Sequence, residues 1–317
     1  MQSNFRFLFF WPKFDPENNY FIDTFHNVLS ESKLGLEFDL SQLEIEFHSV
    51  FGWPRRLNVM KRFLRLWQVK FKKAILGKSI ILIWYSGELG KPPKGYDLTL
   101  SYSPTLGNNV YLPVWAIYTT DDTFGRKYDR EFIFNWEKLL SSRELRSFKN
   151  NRIACTFISN PTTERLRYAQ TLEHLGILDI YGVAVGKPID SKLNVSKNYI
   201  FQLCLENQDE NNYVTEKPFE AWMCGNIPIY KKNGTLTPLN TNSIVNITDY
   251  DPRDLERQLL LLIQDQEQLN RIYREPILAN ALELKEIEER FLRIIERELT
   301  LKSNGLQRFC KKLRIPN

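Results

Sequence analysis

Residues 199–230, YIFQLCLENQDENNYVTEKPFEAWMCGNIPIY, contain a complete strand–loop–helix–strand unit. An apolar run ends at Glu206, a polar loop follows, and Pro218 lies where the first turn of a helix is expected. Gly225 ends that helix, and Ile227 begins a second apolar run. Such units place parallel strands in one sheet with a helix on its face, so this stretch predicts an α/β protein.

The same alternation extends along the whole chain. Apolar runs of strand length occur at 5–10, 43–48, 80–85, 110–116, 152–158, 199–205, 227–230 and 243–247. Amphipathic stretches of helix length separate them, which is typical of largely parallel sheets. Because 317 residues exceed what one hydrophobic core usually holds, we expect two domains. A charge-rich stretch before the run at 152–158 places the boundary, which predicts domains at 1–145 and 146–300 and a basic amphipathic tail at 301–317.

Two basic segments have amphipathic patterns. In the first, Met60, Leu64, Trp67 and Phe71 recur at steps of three or four residues among lysines and arginines. We expect a helix that packs this apolar face and leaves the rest basic. Its charge could attract an anionic ligand, such as a glycan linked to lipopolysaccharide, but a solvated face is favoured. The tail could contact a membrane peripherally, although a solvated terminus is favoured.

Composition and spacing exclude several classes of protein. Lys and Arg total 43 against 38 Asp and Glu, and this net charge of +5 is too small for a dedicated nucleic-acid binder. The cysteines and histidines show no zinc-site or disulfide spacing. No apolar run is long enough to span a membrane, and the N-terminus reads as a first strand, not a signal peptide. These features predict a cytoplasmic protein.

The helix start near Thr215 is a candidate anion site. It lies on the carboxyl side of the predicted sheet, where its first-turn N–H groups favour a negative charge. Lys217 adds a positive charge that suits a diphosphate. Tyr213, Thr215 and Glu216 offer donors and acceptors for ribose or sugar hydroxyls. A structural helix capped by Thr215 is the alternative, and the pattern alone favours it.

The same stretch resembles the donor-binding signature of the α-1,3/4-fucosyltransferases. The residues that carry the likeness are LEN at 205–207, YVTEK at 213–217 and GNIPIY at 225–230. Further segments follow the family order at 80–88, 96–102, 110–115, 159–161 and 178–182. The likeness extends from the first strand to about Glu256, and the opening Phe9-Phe10-Trp11 is similar to soluble, bacterial-type members.

The resemblance implies a GT-B-like α/β fold, with two Rossmann-like lobes of mainly parallel sheets facing across a cleft. It places the acceptor in the N-terminal domain and the donor in the C-terminal domain. It implies inverting transfer of L-fucose from GDP-β-L-fucose to a hydroxyl of an N-acetylglucosamine- or glucose-containing glycan, in α-1,3 or α-1,4 linkage. GDP-fucose and the glycan are then the partners, and no metal or other cofactor is expected.

The resemblance also assigns roles to particular residues. Glu88 is the candidate catalytic base, which deprotonates the acceptor hydroxyl. The donor-binding candidates are Arg165, Asn207, Tyr213, Thr215, Glu216 and Lys217. Arg165 and Lys217 are expected to stabilise the leaving diphosphate. Arg167 is the other candidate for the phosphate-binding arginine.

The chain departs from the family pattern at three places, and at one of them Pro218 replaces an aliphatic residue, which the first turn of a helix tolerates. Leu89 replaces an asparagine beside the candidate base, and residues 231–233 (KKN) replace a segment that usually contains glycine. Two other functions therefore stay open at this stage. One is a GT-B transferase that uses another nucleotide sugar, and the other is a catalytically silent protein that binds glycans or polyanions.

Overall fold

The computed structural model describes residues 6–10, 20–32, 40, 43–49, 55–76, 79–87, 93–120, 132, 134–149, 151–247, 251–282 and 285–313. The chain divides into two compact units. The first unit comprises residues 1–112 and 283–317, and the second comprises 113–282. Each contains a five-stranded sheet in which every described strand pair is parallel. The predicted α/β class with mainly parallel sheets is therefore confirmed.

The first unit has strands in sequential order across its sheet. They are β1 (Arg6–Phe10), β2 (Leu43–Ser49), β3 (Ser79–Ser86), β4 (Leu98–Ser101) and β5 (Asn109–Tyr111). Helix α1 (Tyr20–Glu31) follows β1, and helix α2 (Arg55–Leu76) follows β2. All eight residues of β3 are buried, as in a strand covered on both faces.

The two helices cover opposite faces of this sheet. Helix α1 places Phe25 against Phe47, with ring centroids 5.6 Å apart. Helix α2 places Val69 in a cluster with Leu82 and Trp84. Because side chains alternate along a strand, Phe47 and the cluster that contains Leu82 lie on different faces.

The described residues of the second unit form seven strands. They are β6 (Thr119–Thr120), β7 (Phe134–Asn135), β8 (Arg152–Phe157), β9 (Leu178–Tyr181), β10 (Tyr199–Cys204), β11 (Ile227–Tyr230) and β12 (Val245–Asn246). Its helices are α3 (Trp136–Leu140), α4 (Thr163–His174), α5 (Lys192–Ser196), α6 (Lys217–Met223), α7 (Pro252–Gln264) and α8 (Gln266–Arg274). Strands β6 and β7 pair with each other, outside the main sheet.

The main sheet of the second unit has the order β12-β11-β10-β8-β9. The chain starts in β8, adds β9 on one side, and then continues through β10, β11 and β12 on the other. This is a doubly wound order, and its switch point lies between β8 and β10. The loops after these two strands diverge, which leaves a crevice at their carboxyl ends.

Two predicted strands are shorter than expected. The run at 110–116 forms a strand only to Tyr111, because Pro113 begins a 3₁₀ turn at Val114–Tyr118. That turn buries Trp115 against Phe219, with ring centroids 4.5 Å apart. Within the run at 243–247, only β12 (Val245–Asn246) forms a strand, and it pairs with β11.

The second unit begins earlier than the predicted boundary near residue 145. The chain enters it at Pro113. Arg143 gives the physical reason, since its guanidinium donates to the carbonyl oxygens of Trp222 (2.7 Å) and Tyr273 (2.8 Å). Its carbon Cζ also lies 3.9 Å from the centre of the Tyr273 ring. Residues that the charge pattern assigned to the N-terminal domain are thus held within the second unit.

The last helix, α9 (Lys285–Leu313), belongs to the first unit. The predicted domain 146–300 and tail 301–317 instead divide this helix at residue 301. Its Phe291 ring lies 4.1 Å from that of Phe25 on α1. The apolar positions that bury this helix are Ile287, Phe291, Ile295 and Leu299. This stripe repeats every four residues and explains why the helix packs with the first unit.

The prediction for the apolar face of α2 is wrong. Met60, Leu64, Trp67 and Phe71 were predicted to pack, yet each is more than half exposed. The helix turns Arg65 and its neighbours to the sheet instead, because a buried carboxylate there requires a cation.

That carboxylate is Glu46, at the centre of a polar cluster. Arg65 donates from Nε to Oε1 and from Nη2 to Oε2 of Glu46, both at 2.7 Å. His48 Nε2 lies 2.8 Å from Oε1, and the Tyr96 hydroxyl lies 2.9 Å from His48 Nδ1. Because an ionised carboxylate only accepts, Nε2 of His48 carries a proton and donates to Glu46. Burial alone would raise the pKa of Glu46, but His48 and Arg65 lower it to about 2.

Glu46→Gln is expected to lower the free energy of unfolding by about 3 kcal/mol at pH 7, because Arg65 and His48 lose their charged acceptor. A depressed pKa means that this stabilisation is complete above the ordinary glutamate value. It is lost as the pH falls toward about 2. Urea unfolding at several pH values measures the difference, with the exposed Glu31→Gln as control. Equal stability of Glu46→Gln and the wild type at pH 7 would contradict the expectation.

Candidate active site

A cavity of about 420 Å³ lies in the second unit, at the switch point of its sheet. Its walls come from the segments that follow β8, β10 and β11, together with the start of α7. The lining residues that carry polar groups include Thr162, Glu164, Arg165, Arg167, Glu206, Asn207, Asp209, Tyr213, Tyr230, Lys231 and Asn233. Parallel strands bring their carboxyl ends to one edge, so segments distant in sequence converge here.

Arg165 is the buried cation of this cavity. Thr162 caps α4 and accepts from the backbone N–H of Arg165, which places Arg165 in the first turn. Its Nη1 donates to Asn207 Oδ1 at 2.7 Å and to the carbonyl oxygen of Asn160 at 3.1 Å. Burial lowers its pKa, but a guanidinium stays charged at neutral pH. Its Nε is buried without a hydrogen-bond partner among the described residues, so a donor is left for an anion.

The structure separates the two candidate arginines. Arg165 is 9% exposed and bonded to Asn207, whereas Arg167 lines the same cavity from an exposed position. Arg165 is therefore the better positioned to hold a ligand in a fixed geometry, since its guanidinium is already oriented.

The carboxylate of Glu206, just after β10, lies at the helix start where the sequence predicts a diphosphate. Its Oε1 accepts from the Thr215 backbone N–H (2.9 Å), the Thr215 hydroxyl (2.9 Å) and the Tyr230 hydroxyl (3.0 Å). Its Oε2 accepts from Lys217 Nζ at 2.8 Å. The negative charge at the start of α6 is therefore supplied by the protein itself, through the carboxylate of Glu206.

This network changes the expected position of Lys217. Burial alone would lower the pKa of Lys217, but Glu206 and Glu216 outweigh burial and raise it. Lys217 is thus a charged partner of Glu206. None of Thr215, Glu216 and Lys217 is among the residues that line the cavity. Thr215 and Lys217 instead bond to the carboxylate of Glu206, which does line it. Glu216 is the N-cap of α6, without a capping bond from its side chain.

Sequence reasoning did not single out Glu206 and Tyr230 as site residues. The sequence contained a usable signal, because Glu206 is the first polar residue after a strand whose six residues are all buried, with only Leu205 between them. A carboxylate at such a buried position requires a cation or the N–H groups of a helix start. Lys217 is a cation and is also the first residue of α6.

The loop between Asn207 and Tyr213 is tied to the segment after β11. Asn212 adopts a left-handed conformation with φ of 64°, which asparagine tolerates better than most residues. Its Oδ1 accepts from the backbone N–H groups of Thr235 (3.0 Å) and Leu236 (3.2 Å). Tyr213 follows directly and is buried in the cavity wall. The predicted residues Arg165, Asn207 and Tyr213 therefore come together at one cavity.

Glu88, the predicted catalytic base, lies outside the described residues, as does Leu89. Its role stays a prediction. Among the described helices, α2 and α9 exceed 18 residues, and neither is apolar enough to cross a membrane.

The whole chain is similar to solved structures of an α1,3-fucosyltransferase. One, in complex with GDP-fucose, matches with a TM-score of 0.58 and 17% identity over 92% of this chain and 90% of that one. Another matches with a TM-score of 0.60, also at 17% identity. Two α/β units that share this architecture define the fold as GT-B.

The second unit also matches at the level of sequence. Residues 147–289 match the model of the C-terminal domain of glycosyltransferase family 10 (fucosyltransferase). The 4-galactosyl-N-acetylglucosaminide 3-alpha-L-fucosyltransferase 9 proteins of Homo sapiens and Canis lupus familiaris are each 25% identical over 116 residues, 34% of this chain. The match spans 32% of the length of those relatives. At the level of sequence, the similarity to the fucosyltransferases therefore rests on residues 147–289, and over the rest of the chain it rests on the fold.

Proposed function

We propose that this protein is an inverting fucosyltransferase. It transfers L-fucose from GDP-β-L-fucose to a hydroxyl of a glycan that contains N-acetylglucosamine or glucose, in α-1,3 or α-1,4 linkage. The observation that carries the proposal is the pairing of buried Arg165 with Asn207 at a switch-point cavity. This cavity lies within the stretch that matches the fucosyltransferase model.

The donor is held by its diphosphate in this cavity. Arg165 directs its remaining donors to the phosphate oxygens, and Tyr213 contributes from the wall. Lys217 neutralises Glu206, which would otherwise repel an anion from the wall. Glu216 does not line this cavity and acts through Lys217, whose pKa it helps to raise.

The chemical step is a single in-line displacement. The acceptor oxygen forms a bond to the anomeric carbon as the bond from that carbon to the diphosphate oxygen breaks. The acceptor proton passes to the carboxylate of Glu88, and the bonding electrons leave with GDP. One displacement inverts the β-linked donor to an α-linked product. Arg165 stabilises the charge that develops on the leaving diphosphate, and this role is our reason for expecting no metal requirement.

Transfer of another nucleotide sugar is the second candidate. It is favoured by Lys231, which lines the cavity and lies in the segment that departs from the family pattern. Lys231 is bonded to Asp209, so this wall differs in charge from one built on glycine.

A transfer assay separates the two candidates. The protein is incubated with GDP-fucose, GDP-mannose or UDP-glucose and a panel of lactosamine-type and glucose-containing acceptors. Mass spectrometry is expected to detect the addition of one deoxyhexose with GDP-fucose alone. Addition of a hexose from another donor would support the second candidate, and no addition from any donor would favour a catalytically silent binding protein.

A further inference from the structure

Helix α2 presents an exposed apolar stripe. Phe63 is 69% exposed, Trp67 63% and Met60 55%, and Leu64 and Phe71 are each 52% exposed. Their spacing places all five side chains along one face of the helix. The rings of Trp67 and Phe71 are stacked, with centroids 6.2 Å apart. Contiguous exposed apolar surface of this kind marks an interaction site.

The borders of this stripe are basic. The 22 residues of α2 include eight lysines and arginines and no aspartate or glutamate. Helical geometry places Lys70 along one border of the stripe and Lys61 and Lys72 along the other. The surface therefore combines aromatic and aliphatic groups with positive charge.

The orientation of α2 is held by ion pairs on its inner face. Arg65 forms the two-pronged contact with Glu46, which is 1% exposed. About two turns further on, Lys73 lies 3.6 Å from Asp97 and 3.3 Å from Glu298. A surface helix usually buries its apolar face and exposes its charges. In α2 the inner face buries Val69 but leaves the largest apolar side chains exposed, because rotating the helix to bury Trp67 would remove Arg65 from Glu46.

We propose that α2 is a membrane-surface helix that docks on anionic phospholipids. Phe63 and Trp67 insert at the boundary between headgroups and acyl chains, and the bordering lysines contact lipid phosphates. Charge favours this partner over a second copy of the chain, since pairing two α2 helices would bring their lysine borders together. The inference does not depend on the proposed activity, nor on residues 302–317.

Flotation with lipid vesicles tests the proposal. The full chain is mixed with phosphatidylcholine vesicles that contain phosphatidylglycerol, or with phosphatidylcholine alone. We expect at least about tenfold stronger partitioning to the anionic vesicles, and a loss of at least about tenfold in Phe63→Ser/Trp67→Ser. The control is Leu260→Ser/Leu261→Ser, which changes another exposed apolar pair, on α7. Its partitioning is expected to equal that of the wild type.

Fluorescence quenching gives a second readout with a variant that stays apolar. Brominated acyl chains in the anionic vesicles should quench Trp67, and Trp67→Phe should bind equally well but lose that quenching. Vesicle binding that survives Phe63→Ser/Trp67→Ser would overturn the proposal and indicate the C-terminal segment. Quenching that persists in Trp67→Phe would also overturn it. The proposal would also be overturned if the wild-type protein bound no vesicles and sedimented as a dimer that dissociates in Phe63→Ser/Trp67→Ser.

Discussion

Glu88→Gln is expected to lower the rate of fucose transfer by about a thousandfold while GDP affinity changes by less than about twofold. Glutamine has nearly the shape of glutamate but cannot accept the acceptor proton. The loss should therefore appear in kcat with GDP-fucose and a lactosamine-type acceptor, and calorimetry should show an intact donor site.

The matched control for this variant is Glu210→Gln. Glu210 is exposed and does not line the cavity, so its amide should leave the transfer rate unchanged. A Glu88→Gln enzyme with the wild-type rate would assign the base to another residue. Loss of both transfer and GDP binding would indicate a structural role for Glu88 instead.

Arg165→Ala is expected to weaken GDP binding by about 100-fold, because a buried guanidinium with a free donor makes charge-assisted bonds to phosphate. The substitution also leaves Asn207 Oδ1 without its 2.7 Å donor. Isothermal titration calorimetry with GDP measures the loss, and circular dichroism checks that the fold is retained.

Arg167→Ala is the comparison that decides between the two arginines. Because Arg167 is exposed at the same cavity, its loss should cost less than about fivefold in GDP affinity. A larger loss in Arg167→Ala than in Arg165→Ala would reverse the assignment. Arg165→Lys provides a further check, since a lysine keeps the charge without the planar fork.

The strands were predictable where burial is continuous. Strands β3 and β10 are buried at every position, and such runs contain no polar residue pattern that competes with a strand. The strand at 110–116 was overestimated because Pro113 and the burial of Trp115 by Phe219 favour a turn. Apolar composition alone does not distinguish a buried strand from a buried turn.

The donor cavity was predictable in part, through the family resemblance. Arg165 and Asn207 are separated by 42 positions, and only the motif order linked them before the structure placed them 2.7 Å apart. The contact of Lys217 with Glu206 depends on where the end of β10 meets the start of α6. The distance between the end of β10 and the start of α6 is set by the packing of the sheet, and residue spacing in the sequence does not predict it.

Sequence patterns do not predict the orientation of α2 or the boundary between the two units. Helical periodicity identifies an apolar face but does not say whether that face is turned inward or outward. The contact between Arg65 and Glu46 decides it, across 19 positions. Likewise, Arg143 assigns its segment to the second unit through contacts with carbonyls 79 and 130 positions away.

Calorimetric titration of the wild-type protein with GDP tests the central claim, which is that the cavity beside Arg165 holds a guanine nucleotide diphosphate. We expect saturable binding of GDP with a dissociation constant on the order of micromolar, and binding of UDP at least about tenfold weaker. A titration in which GDP releases no heat of binding at several temperatures, or in which UDP binds as tightly as GDP, would contradict the account.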